Sequence, residues 1–137
     1  MDATPVNFVL AEDRPSAENG LRLAVRSLRL TWPEAMVFVQ YDPSGDAGND
    51  FWAWAAKQEV QRVKRTTDAA GWNVKPRLLL QVLDRRPVDR IIWVDSDVLA
   101  RRSFRHLIEA HPASTLIATE EPRNALSHVT PREKARA

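Results

Sequence analysis

The chain has 137 residues, enough for one domain with its own core, and its 44% hydrophobic and 28% charged residues are ordinary for a globular protein. Lys and Arg number 20 against 18 Asp and Glu; the net +2 is too small, and the basic residues too scattered, to argue for nucleic acid. There is no cysteine, which excludes disulfide frameworks, zinc ribbons and thiol nucleophiles and is compatible with a reducing, cytoplasmic setting.

The opening MDATPVNFVLAED has no basic segment followed by an apolar run, so no signal peptide is expected. No apolar run approaches the roughly 18 residues that cross a bilayer. Phe8, Val9, Leu10 and Ala11 read as a first strand, closed by the polar loop Glu12, Asp13, Arg14, Pro15. Ser16 is placed to cap the next helix. Leu21, Ala24, Val25 and Leu28 have the i, i+3, i+4, i+7 spacing of one buried face. Trp32 and Pro33 stop that helix.

Residues 36–39 read as a second strand, followed by a turn-rich loop from Tyr41 to Asn49. Asp50 is expected to cap a helix over residues 51–61, with Phe51, Trp54 and Ala55 facing a sheet. The aromatics Phe51, Trp52 and Trp54 read better as helix-on-sheet packing than as a stacking platform for a base or sugar. Residues 63–66 suggest a short third strand and residues 68–72 a loop. A helix then begins near Asn73, with Pro76 in its first turn and Leu79, Val82 and Leu83 on its apolar face. Arg85, Arg86 and Pro87 end it.

The fourth strand, residues 91–94, is an unbroken apolar run. Such a run predicts a central strand buried on both faces. It ends in Asp95-Ser96-Asp97. Ser103 is placed to cap a short helix over residues 104–110, and residues 115–119 suggest a fifth strand. From Glu120 the sequence turns polar, and residues 130–137 read as a frayed tail. Alternating strands and helices predict an α/β three-layer sandwich with a mostly parallel sheet. The first strand should lie centrally, with the Asp95-Ser96-Asp97 loop beside the loop that follows it.

In open α/β sheets, ligands bind at the carboxyl ends of the strands. Two carboxylates one residue apart at such an end are hard oxygen ligands, suited to Mg²⁺ or Mn²⁺ carrying a substrate's phosphates. The bland alternative is a solvated turn with two surface aspartates. A phosphate leaving group gathers charge as its bond breaks, and a metal on its oxygens stabilises that charge.

The stretches FVLAEDRPSAENGLRLAVRSL and VKPRLLLQVLDRRPVDRIIWVDSDVLARRSF together resemble the GT-A glycosyltransferases, family 8 in particular, the glycogenin and lipopolysaccharide galactosyltransferase group. The likeness spans about residues 7–110. It implies a nucleotide-diphospho-sugar donor, a UDP-sugar first, an acceptor that the sequence does not identify, and Mn²⁺ or Mg²⁺ as cofactor. By this resemblance Asp95 and Asp97 hold the metal, and one of the two, Asp95 before Asp97, also touches the ribose. Ser96 offers its backbone to the nucleotide, and Ala11 and Asp13 lie along the base. A basic residue early in the helix at residues 73–83 meets the diphosphate or the sugar: Lys75 fits one subgroup's pattern and Arg77 another's.

Family members take a third metal ligand, often histidine, far downstream of the two aspartates. His106, His111 and His128 match no such context and are left out of the site. The chain ends about 40 residues after the motif. The expectation is therefore a nucleotide-binding half or truncated product, with exposed apolar faces that favour self-association or a partner chain. Two rivals remain. One is a module that keeps the fold without turnover. The other is a haloacid dehalogenase-type phosphatase, in which the two aspartates usually end the first strand and Thr or Val stands where this chain has Leu99.

Overall fold

The structure is a computed structural model. It describes residues 5–43, 46–66, 73–85, 90–112 and 115–117, with only the backbone of Asp46 and Ala47. The turn at Ser44 and Gly45, the loop at residues 68–72, Arg86 and Pro87, residues 118–119, His128 and the tail lie outside the described residues.

Among the described residues, four strands form one parallel sheet in the order β3-β2-β1-β4. They are β1 (Asn7–Ala11), β2 (Met36–Gln40), β3 (Val60–Arg62) and β4 (Ile91–Trp93). The helices are α1 (Glu18–Thr31), α2 (Asp46–Lys57), α3 (Val74–Arg85) and α4 (Arg105–Glu109). Alternate residues of a strand face opposite sides, and here the two sides have separate cores. Phe8, Leu10, Val37 and Val39 pack with Leu21, Ala24, Val25 and Leu28 of α1 and with Phe51 and Ala55 of α2. Val9 and Phe38 pack on the other face with Leu78 and Val82 of α3. This is the expected three-layer α/β sandwich.

Helix α1 buries the face that its sequence spacing marks. Ser16 does not cap it; that residue sits in a single 3-10 turn, Pro15–Ala17, in which no side-chain cap bond forms. At the other end the Trp32 amide donates to the Leu28 carbonyl at 2.7 Å. The Trp32 ring then turns inward onto Phe8 and Phe104, with centroids 5.4 and 5.0 Å away. Arg29 donates to the carbonyls of Gln58, Ala35 and Glu59 at 2.7, 2.5 and 2.9 Å, tying α1 to the turn between α2 and β3. Glu59 in that turn has φ 55°, the left-handed region that suits glycine.

Several boundaries differ from the sequence reading. Helix α2 runs from Asp46 to Lys57, so it starts and ends earlier than residues 51–61, and Asp50 lies within it rather than capping it. Gly48 is what allows the early start. A Cβ there would sit 2.9 Å from the Pro43 carbonyl oxygen, so only glycine lets the first turn lie against that loop. Phe51 is fully buried against Tyr41 and Trp52, the packing role expected of it. Strand β3 pairs at residues 60–62, not 63–66, although Val63 continues it with one bond to the Val39 carbonyl. In α3 the buried pair is Leu78 and Val82, while Leu80 is 61% exposed.

The larger correction concerns β4. Its residues are half-buried, and among the described residues it forms the edge of the sheet, paired with β1 alone. The central strand next to it is β1, as expected. Residues 115–117 form no strand and are exposed, so nothing there covers the edge of β4. An apolar run signals burial of side chains, which helices and loops supply here, and does not require a strand neighbour on both sides. Helix α4 starts one residue later than expected: its N-cap is Phe104, with no side-chain cap bond, and Ser103 lies just before it, accepting the Arg105 amide at 3.3 Å.

Candidate functional site

A cleft of about 590 Å³ opens at the carboxyl ends of β1, β2 and β4. Ala11, Glu12, Asp13 and Arg14 line it from the end of β1. Gln40 and Asp42 line it from the end of β2, and Trp93, Asp95, Ser96 and Asp97 from the end of β4. Val74 and Lys75, at the start of α3, close one side together with Arg65. Parallel strands bring their carboxyl ends to one edge by construction. Segments more than 80 residues apart in sequence therefore meet here.

The Asp95-Ser96-Asp97 loop is a turn whose Val98 amide donates to the Asp95 carbonyl at 3.1 Å. Asp95 is half-exposed. Its carboxylate Oδ1 accepts the Lys75 ammonium at 2.8 Å and the Trp93 indole N–H at 2.6 Å. The bond from Lys75 holds the Asp95 carboxyl below its ordinary range; burial pushes it back up, and the weaker bond from Trp93 adds to the lowering. The Lys75 ammonium also stands 5.5 Å from the Trp93 ring centroid. Asp97 is exposed on the cleft's rim.

Ser96 points the other way, into the protein, and is 8% exposed. Its hydroxyl donates to Glu12 Oε2 at 2.5 Å. Glu12, 7% exposed, receives four further bonds. On Oε1 these come from the Asp13 amide, the Arg14 amide and Arg14 Nε, at 3.0, 2.9 and 2.9 Å. On Oε2 the further bond comes from Arg14 Nη2 at 3.1 Å. Burial pushes this carboxyl up. The bonds from Arg14, Ser96 and the two amides together outweigh that push and hold it at about 2. From the far side, α1 presses on the same loop at Gly20, where a Cβ would lie 3.1 Å from the Ser96 carbonyl oxygen.

Of the residues singled out from sequence, Ala11, Asp13, Lys75, Asp95, Ser96 and Asp97 all line this one cleft. Arg77 does not. It is exposed, two residues along α3 from Lys75, and positions i and i+2 of a helix do not share a face. His106 and His111 lie outside the cleft lining as well. Sequence reasoning passed over Arg14, Trp93, Gln40, Asp42 and Arg65, and it placed Glu12 in the loop at this edge without a role. Position alone could have flagged Gln40 and Asp42, since both stand at the carboxyl end of a strand predicted to be parallel. Asp42 accepts Arg62 at 2.8 Å and the Arg65 amide at 3.3 Å, fixing that rim.

Among the described residues, no group of three or more His, Asp or Glu side chains could hold a metal ion by itself. Asp95 and Asp97 are nonetheless oxygen donors open to solvent at the cleft. That donor set fits a hard divalent ion completed by phosphate oxygens and water. No helix among the described residues is long and apolar enough to cross a membrane.

No family model matches the chain, and no curated protein matches it. Two solved structures of S. aureus TarS, a glycosyltransferase, share its fold. One, titled as TarS, has a TM-score of 0.56 at 17% identity, over 77% of this chain and 19% of that one. The other, TarS 1-349, has a TM-score of 0.50 at 19% identity, over 69% of this chain and 28% of that one. The fold is therefore glycosyltransferase-like, and the likeness does not single out family 8. The chain spans less than a third of the length of either structure.

Proposed function

We propose that this chain is the nucleotide-sugar-binding part of a metal-dependent glycosyltransferase, and that its donor is a nucleoside-diphosphate sugar, a UDP-sugar first. One observation carries the reading. Asp95 and Asp97 share a strand-end cleft with the ammonium of Lys75, which already pairs with Asp95 at 2.8 Å. Carboxylates and a cation side by side suit a ligand that is both metal-bound and anionic.

Asp95 and Asp97 would hold Mn²⁺ or Mg²⁺, which supplies charge stabilisation to a departing diphosphate. Two carboxylates alone hold such ions weakly, so cation and nucleotide should bind together. Lys75 offers the phosphates a second positive charge. In the free chain that ammonium sits on Asp95, which keeps the carboxylate charged and in place. Ala11 and Asp13 lie on the β1 side of the cleft, where the base would rest. The Ser96 hydroxyl proton is directed at Glu12, so Ser96 meets the ligand through its backbone. Arg77, outside the cleft lining, is not part of this assignment.

The experiment is incubation of the chain with a panel of UDP- and GDP-sugars, Mn²⁺ and candidate acceptors, following nucleotide release. Release that requires Mn²⁺ and is lost in Asp97→Asn supports the reading. Hydrolysis of a generic phosphate ester, without turnover of any nucleotide sugar, would favour a phosphatase. Absence of both binding and release across the panel would leave a scaffold that keeps the fold without the chemistry.

A further inference from the structure

We propose that Glu12 is the positioning residue of this cleft, fixing the Asp95-Ser96-Asp97 loop through Ser96 and setting the Arg14 guanidinium at the cleft's edge. The inference rests on the reading of the cleft as a nucleotide-diphosphate site, but the device itself can be tested without ligand.

Glu12 is tied down at both ends. Its amide donates to the Gln40 carbonyl at 3.0 Å, holding its main chain to the end of β2. Its side chain reaches across to Ser96, 84 residues away in sequence. Both carboxylate oxygens already accept hydrogen bonds, five in all, and the side chain is 3% exposed. A carboxylate so occupied is a poor metal ligand and a poor general base. Its work is geometric.

Ser96 is held from two directions. Glu12 takes its hydroxyl, and Gly20 of α1 lies against its carbonyl. The residues on either side of it are the two exposed aspartates, so locking Ser96 fixes the base from which both carboxylates project. Exposed acidic side chains on a turn would otherwise sample many arrangements. A metal–phosphate site needs its ligands held to within about half an ångström. The same Glu12 carboxylate takes Nε and Nη2 of Arg14, whose side chain is 69% exposed and lines the cleft. A guanidinium clamped along one edge keeps its remaining N–H groups for an anionic ligand.

The test compares Glu12→Gln, Ser96→Ala and the double variant with the parent chain. The first readout, without ligand, is amide hydrogen exchange at Val98, whose bond to the Asp95 carbonyl closes the turn. Each single variant should exchange about tenfold faster there, with the amides of β1 and β2 unchanged, and the double should match the faster single. The second readout is the dissociation constant for UDP with Mn²⁺, which should rise about tenfold in each single and no further in the double. Parent-like exchange at Val98 in both single variants would overturn the proposal, as would independent, additive effects. If Glu12→Gln fails to fold, Ser96→Ala decides, because it leaves the carboxylate its Arg14 and amide donors. Faster exchange at Val98 in a chain that binds no UDP would sustain the positioning role and refute the donor-site reading instead.

Discussion

Acid should weaken this fold through Glu12. The folded chain holds that carboxyl at about 2, against 4.5 for an ordinary glutamate. The unfolded chain takes up the proton near the ordinary value, the folded chain only near the lower one. The stabilisation is therefore complete above the unfolded pKa and is lost as the pH falls towards about 2. The gap of about 2.5 units corresponds to roughly 3 kcal/mol at most. Between those limits the parent chain should lose about 1.4 kcal/mol per pH unit more than Glu12→Gln, which has no proton to gain there. The Glu12→Gln chain is the reference for the acid loss that the two proteins share. The assay is urea unfolding at a series of pH values from about 6 down to about 3, with the midpoint and slope fitted at each. Parallel stability profiles for the two proteins would refute the reasoning. They would mean that Glu12 is not bound by Arg14 and Ser96 in solution.

Three further outcomes follow from other contacts. In Lys75→Met the Asp95 carboxyl loses the first of the bonds that hold it down. Its titration, followed by carbon NMR, should move up, and UDP affinity should fall about tenfold; an unmoved titration would show that the pair does not persist. In Gly20→Ala the added Cβ meets the Ser96 carbonyl at 3.1 Å. Helix propensity gains up to about 1 kcal/mol while the aspartate loop is displaced, so thermal stability should hold and UDP–Mn²⁺ affinity should drop; unchanged affinity would show that the loop gives way without consequence. Glu59→Gly relieves a left-handed φ of 55° and should raise stability by about 1 kcal/mol in urea unfolding; a loss would show that the two carbonyl bonds from Arg29 to Gln58 and Glu59 fix this turn whichever residue occupies it.

Much of the site was legible in the sequence because strand-end position is a topological consequence. Once β1 and β4 read as parallel neighbours, Asp13 and Asp95 had to share an edge, and the structure places Ala11, Asp13, Lys75, Asp95, Ser96 and Asp97 around one cleft. The face of α1 was equally plain, since Leu21, Ala24, Val25 and Leu28 repeat with the helix. What lies on the other side of β4 was not legible. Residues 91–94 would read the same whether another strand or a helix and loop cover them, and among the described residues the strand is an edge. The buried role of Glu12 was hidden for a different reason. An acidic residue between a strand and Asp-Arg-Pro looks like part of a solvated loop, and its burial depends on Ser96, far along the chain. Lys75 and Arg77 were equal candidates until the start of α3 was fixed, because one residue of helix phase turns a side chain by about 100°.

The central claim is that the cleft binds a nucleotide diphosphate through a divalent ion held by Asp95 and Asp97. Titration calorimetry of UDP into the chain, with Mn²⁺ and then with a chelator, tests it most directly when repeated on Asp97→Asn. The account predicts binding that requires Mn²⁺ and weakens at least tenfold in the variant, about 1.4 kcal/mol. Equal affinity in the presence of chelator, or in Asp97→Asn, would contradict it.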